Sequence, residues 1–174
     1  MRSPFAAMVA MYFVNPFHAH SRDPRARVLG FLVYRVPSRS MLPTLHVNSI
    51  ISANVAALAN RDPRRGEIVV FRFPPNPDIM YIKRVIALGG ETIEVREGRV
   101  YIDGKLLAEP YLPEIPAEAD PRPDPYHLRD FPQTQVPPGA FFVMGDNRNN
   151  SEDSRAYGAI PRALIVGMVD TQIL

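Results

Sequence analysis

The sequence predicts a mainly β fold: a compact domain of antiparallel strands with a β-hairpin insertion and a short apolar or helical segment at its N-terminus. Three observations predict it. Apolar, β-branched and aromatic residues crowd into short runs at Ile68 to Phe73, Met80 to Leu88 and Phe141 to Met144. Glu97-Gly98 and Asp103-Gly104 interrupt an alternating apolar and polar stretch at the spacing of hairpin turns. Outside the N-terminal apolar runs, no segment offers a sustained helical period.

The elements follow in order. Pro37 and Pro43 break any long helix around Ser40 and place it at a turn leading into a strand near Ser49 to Ala53. Ile68 to Phe73 and Met80 to Leu88 read as two strands joined by a stiff loop, Pro74-Pro-Asn-Pro77. Thr92 to Leu107 reads as a β-meander. Pro110 to Pro138 is rich in Pro and Asp, lacks a period, and reads as an extended, surface-running connection. Phe141 to Met144 is a buried strand. Pro161 to Val169 is a short helix or strand that closes the domain, and Met168 to Leu174 is a final strand. This divides the chain into an N-terminal apolar segment, residues 1–36, and a domain, 37–174, within which 92–138 form the meander and Pro-rich insertion.

Lys83 lies mid-strand among Met80, Tyr81, Ile82, Val85 and Ile86, where a lysine can be desolvated enough to lose its charge. A neutral lysine amine can take the proton of a serine, which is otherwise a poor nucleophile. Two polar stretches flank it, Pro37-Ser-Arg-Ser-Met-Leu-Pro-Thr-Leu45 and Gly145-Asp-Asn-Arg-Asn-Asn-Ser-Glu-Asp-Ser-Arg155. Taken singly, Ser38 and Ser40 are turn hydroxyls capping their own backbone, and Lys83 is a strand lysine whose head reaches solvent. The joint occurrence carries the weight.

These segments resemble the bacterial type I signal peptidases, membrane-bound serine proteases that remove signal peptides from exported proteins. The resemblance runs from about Val36 to the C-terminus, and the part between Glu109 and Pro138 carries little of it. It implies that Ser40 is the nucleophile and Lys83 the general base, with Ser38 and a backbone donor forming an oxyanion hole. It further implies that Ser151 orients the lysine and that Asp153, paired with Arg155, supports it. Asp146, Asn147 and Arg148 read as residues that hold a turn. Small side chains, typically alanine, are expected at the first and third substrate positions before the cut. Met41, Ile82 and Met144 are candidate walls of those subsites, and Met41 and Leu42 are candidates for lipid contact. Where the family usually has Gly-Asp after the serine box, this chain has Asn48-Ser49, and Leu88-Gly-Gly-Glu91 replaces Leu-Pro-Gly-Asp. Asn48 can adopt the left-handed conformation a turn glycine supplies, and Glu91 keeps the charge.

Composition narrows the partners. With 46% hydrophobic and 22% charged residues, 174 residues suffice for one core. A net charge of +2 without a polybasic tract gives no case for nucleic acid, although 20 basic residues can help hold a domain near anionic lipid. The absence of cysteine excludes disulfides, thiolate catalysis and cysteine-ligated zinc. His18, His20, His46 and His127 form no ligand pattern, so no metal and no cofactor are expected.

The N-terminus departs from the family's anchors, which need about 20 apolar residues each. Phe5 to Phe17 is interrupted by Asn15 and Pro16, the polar run His18 to Arg27 follows, and Val28 to Val36 is shorter still. The expectation is a shortened anchor, with a cleavable export signal as the other reading. The resemblance places the domain on the outer, periplasmic face of the cytoplasmic membrane. Rival readings are a conjugative-pilus processing peptidase, a self-cleaving repressor-type protease, and a catalytically silent module that binds signal peptides or a membrane partner. Residues 1–36 show no helix-turn-helix pattern for the repressor type.

Overall fold

Alternate residues of Ile68–Phe73 point to opposite faces of the pleat, and both faces are apolar, so this stretch is buried on both sides. Val69 and Phe71 join a cluster with Val85, Val143, Ile160 and Ile165, while Val70 joins one with Ile51, Ala53 and Ile82. Its hairpin partner is buried continuously from Ile82 to Ala87. The structure, a computed structural model, describes residues 24–113 and 129–172. The Phe5 to Phe17 run, His18, His20, His127 and the middle of the Pro-rich segment therefore lie outside the described residues.

In chain order the strands are β1 (Phe31–Arg35), β2 (Ile50–Asn54), β3 (Ile68–Phe73), β4 (Asn76–Leu88), β5 (Thr92–Arg96) and β6 (Arg99–Ile102). They continue with β7 (Lys105–Leu106), β8 (Phe131–Gln135), β9 (Ala140–Met144), β10 (Ile160–Pro161) and β11 (Ile165–Gln172). A seven-stranded antiparallel sheet has the order β1-β2-β11-β3-β4-β9-β10, and a four-stranded one the order β7-β6-β5-β8. The smaller sheet covers Ile86, Phe142 and Met144 with Ile93, Val95 and Val100. Among the described residues helix is confined to α1 (Pro24–Leu29), α2 (Ser154–Tyr157) and 3-10 turns at Ala56–Leu58 and Arg162–Leu164. Among the described residues no helix is long and apolar enough to cross a membrane.

The mainly β, antiparallel fold is the one expected, and the meander is built as read. Glu97 and Gly98 (φ 52° and 77°) and Asp103 and Gly104 (φ 49° and 74°) supply the paired left-handed residues that two-residue hairpins need. Four expectations are corrected. The stiff loop shrinks to a turn at Pro74-Pro75, because β4 begins at Asn76 and Pro77 sits in its exposed outer end, where no central ladder bond is lost. Part of the surface-running connection is strand β8, which pairs with β5, and Phe131 packs on Phe142 with ring centroids 5.2 Å apart. The Val28 to Val36 run supplies β1, an edge strand that half-buries Leu32 and Tyr34 against β2, so the sheet begins before Pro37. The closing segment is a 3-10 turn followed by one long strand, β11, inserted between β2 and β3.

Phe71 is fully buried at the centre of the seven-stranded sheet. Phe71→Ala should destabilise the fold by about 3–5 kcal/mol in urea denaturation, since the cavity has rigid sheet on both sides. A loss below about 1 kcal/mol would show that the sheet collapses onto the gap.

Candidate active site

The serine box is an irregular loop closed at its base and nailed down in its middle. Val36 N–H donates to Ser49 O (2.9 Å) and Asn48 N–H to Val36 O (2.8 Å), with Asn48 in the left-handed region at φ 70°. Met41 and Leu45 are buried beside Val36, Ile51 and Val70, which leaves Ser40 between a core anchor and the opposite loop. From that loop Asn147 N–H donates to Ser40 O (3.0 Å). Gly145 packs so closely that a Cβ there would run into Ser40 O and Ser151 Oγ.

Lys83, on β4, lies in register with Val69 of β3 and is 4% exposed. Its Nζ donates to Ser40 Oγ at 2.8 Å and lies 5.1 Å from the centre of the Tyr81 ring. Burial lowers its pKa from the ordinary 10.5 to about 8. The carboxylates of Asp153, Glu152 and Asp146 act against burial by favouring the cation, while Arg155 acts with it. Ser38 Oγ lies 3.1 Å from Ser40 Oγ, so three polar groups converge.

The loop after β9 is held by buried ion pairs. Arg84, the neighbour of Lys83, grips Asp146 through Nε (2.8 Å) and Nη2 (2.5 Å). Asp153 caps α2 by accepting from Arg155 N–H (3.2 Å), and also accepts from Gly145 N–H (3.1 Å) and twice from the Arg155 guanidinium (2.9 Å each). Burial alone would push its carboxyl up; Arg155, Gly145 and the nearby Ser151 hydroxyl outweigh burial and hold it below the ordinary range. Ser151 is buried, yet among the described residues its Oγ makes no hydrogen bond of good geometry, to Lys83 or to any other group. The bond expected from Ser151 to Lys83 is therefore not formed in this structure.

Ser40 and Lys83 open onto a cleft of about 270 Å³, lined on its apolar side by Met41, Ile79, Met80 and Ile82. It follows β4 where that strand has lost its neighbour, because β9 pairs with it only from Arg84 onward. Met41 and Ile82 both line this cleft, although Met41 is only 1% exposed and is no lipid contact. Met144 does not line the cleft. Its register with Arg84 puts it on the same side as Ile82 but at the Ile86 end, where the four-stranded sheet covers it. Asp146 and Arg148 do more than hold their own turn, since they reach Arg84 on β4 and Glu109 beyond β7. The reading missed Arg84, although it adjoins Lys83 in the same motif. It also missed Glu152, which accepts from the Tyr81 hydroxyl (2.9 Å) at the cleft rim, and for Glu109 the local sequence carries no signal.

The site thus brings a dehydrated lysine amine against a serine hydroxyl, on an antiparallel β scaffold beside an apolar cleft. The chain belongs to the signal peptidase family, peptidase S26, whose family model matches residues 6–174. It is similar to signal peptidase I of Pseudomonas aeruginosa, 39% identical over 174 positions covering 80% of this chain and 61% of that one. It is also similar to signal peptidase I of Leptolyngbya laminosa, 41% identical over 139 positions covering 76% of this chain and 63% of the other. The chain thus spans less than two thirds of the length of these relatives. The crystal structure of a signal peptidase I from Enterococcus faecalis matches with a TM-score of 0.53 and 36% identity, over 63% of this chain and 98% of that one.

Keeping Lys83 dry costs stability. Between about 8 and the ordinary 10.5 the unfolded chain binds the proton that the folded chain has released, so stability rises with pH across that window. Below it the full cost applies, about 3 kcal/mol from the gap in pKa. Lys83→Met should therefore be more stable than the parent at about pH 7, by up to about 3 kcal/mol, with the advantage shrinking toward pH 10.5. Urea denaturation of both proteins across this range measures it, and a pH-independent difference would contradict the buried titration.

Proposed function

We propose that the protein is a serine endopeptidase that removes signal peptides from exported proteins after small residues, through an acyl-enzyme on Ser40 with Lys83 as general base. The observation that carries this reading is the 2.8 Å contact between the buried Lys83 amine and Ser40 Oγ at the floor of the apolar cleft. Family membership supports the substrate class.

The chemistry follows from the groups in place. Neutral Lys83 takes the Ser40 proton as Oγ bonds to the scissile carbonyl carbon, and the oxygen becomes an oxyanion. Ser38, now bonded to Ser40 Oγ, turns its hydroxyl to that oxyanion together with a backbone N–H of the serine box. The tetrahedral centre collapses, the peptide C–N bond breaks, and protonated Lys83 gives its proton to the leaving amine. The same amine then deprotonates a water that attacks the Ser40 ester and frees the enzyme. Ser151 orients the lysine once Ser40 Oγ is acylated and no longer bonds it, a part suited to its unpartnered hydroxyl. Asp153 holds the loop that carries Ser151.

Substrate fit follows from the cleft. A peptide lying extended along the open edge of β4, from Ile79 to Lys83, would gain main-chain hydrogen bonds, with Met41 and Ile82 as the walls that would restrict it to small side chains. Leu29 at the end of α1 and Phe31 and Val33 on β1 expose about half of their surface, consistent with a domain seated on lipid at the outer face of the cytoplasmic membrane. A silent binding module has no use for a lysine held at this cost.

The test is cleavage of a peptide spanning an Ala-x-Ala junction by the full chain in detergent. Ser40→Ala and Lys83→Ala should each lose about 10⁴-fold or more in kcat, and Ser38→Ala about a hundredfold. In the parent the rate should climb with pH through about 8, as neutral Lys83 accumulates. A folded parent inert from about pH 6 to about pH 10 would sink the reading. Separately, Ile82→Ala should admit larger residues at the small-residue positions, measured as a gain in kcat/KM for valine or leucine over alanine substrates. Unchanged selectivity would remove Ile82 from the pocket wall.

A further inference from the structure

The segment leaving β7 looked inert in the sequence, yet it reaches the reacting pair through four buried charges. Glu109 and Tyr111 are two residues apart in a short irregular stretch, and the Tyr111 hydroxyl donates to Glu109 Oε1 at 2.7 Å. Glu109 receives the Arg148 guanidinium with both oxygens, one contact being 2.9 Å from Nη1 to Oε2 and the other joining Nη2 to Oε1. The Tyr111 ring stacks on Arg84, 3.9 Å from its guanidinium carbon. Arg84 holds Asp146, and Arg148 returns to the same loop by donating from Nε to Gly145 O (3.1 Å) and from its backbone N–H to Asp146 O (3.0 Å). The contacts form a closed ring: Arg84, Asp146, Arg148, Glu109, Tyr111 and Arg84 again.

No member of the ring is well hydrated. Side-chain exposure is 9% for Arg84, 0% for Asp146, 7% for Arg148 and 11% for Glu109. Desolvated charges of this kind stay in place only while every partner is present, so removing one loosens the rest. The ring also closes around the site: Arg84 is bonded in sequence to Lys83, and Arg148 sits in the loop that presses Gly145 on Ser40 and carries Ser151.

We propose that Glu109 and Tyr111 are positioning residues for the Ser40–Lys83 pair, latching the loop of residues 145–153 onto Ser40 through Arg148 and Arg84. The inference deepens the proposed function and rests on it for the reaction served. With the latch open the loop backs away from Ser40 and water reaches Lys83. The groups facing the amine, Asp153, Glu152 and Asp146 against Arg155, then act on a hydrated lysine, and its titration moves up toward the ordinary value.

The chain has two lysines, Lys83 and Lys105, so side-chain nitrogen NMR of ¹⁵N-lysine-labelled full chain in detergent reads Lys83 directly, with exposed Lys105 on β7 as internal control. Parent, Glu109→Gln, Tyr111→Leu and Tyr111→Phe are compared in that titration and in peptide cleavage. In Glu109→Gln and Tyr111→Leu the Lys83 midpoint should rise by about half a pH unit or more and kcat should fall about tenfold, with KM within about twofold. Tyr111→Phe, which keeps the stack on Arg84, should hold kcat within about threefold. If Tyr111→Leu does not fold, the near-isosteric Glu109→Gln decides. Folded variants with unchanged Lys83 midpoint and unchanged kcat would overturn the inference, whatever their melting temperatures. If the parent cleaves nothing, the proposed function fails, and the lysine midpoints still decide whether the latch positions Lys83.

Discussion

The constraint on which the site depends is the removal of one lysine amine from water. Lys83 bonds the Ser40 hydroxyl, and burial is the largest influence on its charge. A lysine on an uncovered strand edge would turn its head outward and keep its proton. Here β3 covers one flank of β4, and the serine box and the loop after β9 cover the rest. The loops that close over β4 where β9 stops pairing with it are thus as much a part of the chemistry as the residues that carry it.

Around that dry amine the protein buries several full charges, and it does so only in pairs. Arg84 with Asp146, Arg148 with Glu109, and Arg155 with Asp153 are each nearly withdrawn from solvent. Such pairs add little net stability, because desolvation consumes most of their attraction. What they contribute is geometry. Arginine's planar fork fixes both distance and angle to a carboxylate, so three of them hold an eleven-residue polar loop against Ser40 without a regular element beyond the single turn of α2. The same pairs set the field at Lys83, where the carboxylates favour the cation and burial opposes it, leaving the pKa near 8.

Legibility in the sequence tracked the range of the interaction. Turns were readable because Glu97-Gly98 and Asp103-Gly104 settle φ locally, and Asn48 substitutes for a turn glycine at φ 70° for the same reason. Ile68 to Phe73 was readable because its apolar pattern matches the pleat. β8 was not, since a stretch of Phe, Pro, Gln and Thr becomes a strand only because β5 offers an unpaired edge and Phe142 a surface for Phe131. β1 was misjudged for a related reason: an apolar run before the serine box carries no mark that distinguishes an edge strand from a segment meeting lipid.

Taken alone, the sequence determined the chemistry available: two hydroxyls in a proline-bounded turn, one lysine in an apolar strand, and a polar loop with its own capping aspartate. Those features are local, set by covalent spacing and backbone preference, and they survive translation into any compact fold. Only the tertiary structure decided which groups meet. Register sent Met144 into the core beneath the four-stranded sheet and not into the cleft, left Ser151 without a partner, and joined Arg84 to Asp146 across 62 positions and Arg148 to Glu109 across 39. Contacts at such separations arise from the packing of sheets and the pairing of buried charges, and no short window of sequence encodes them.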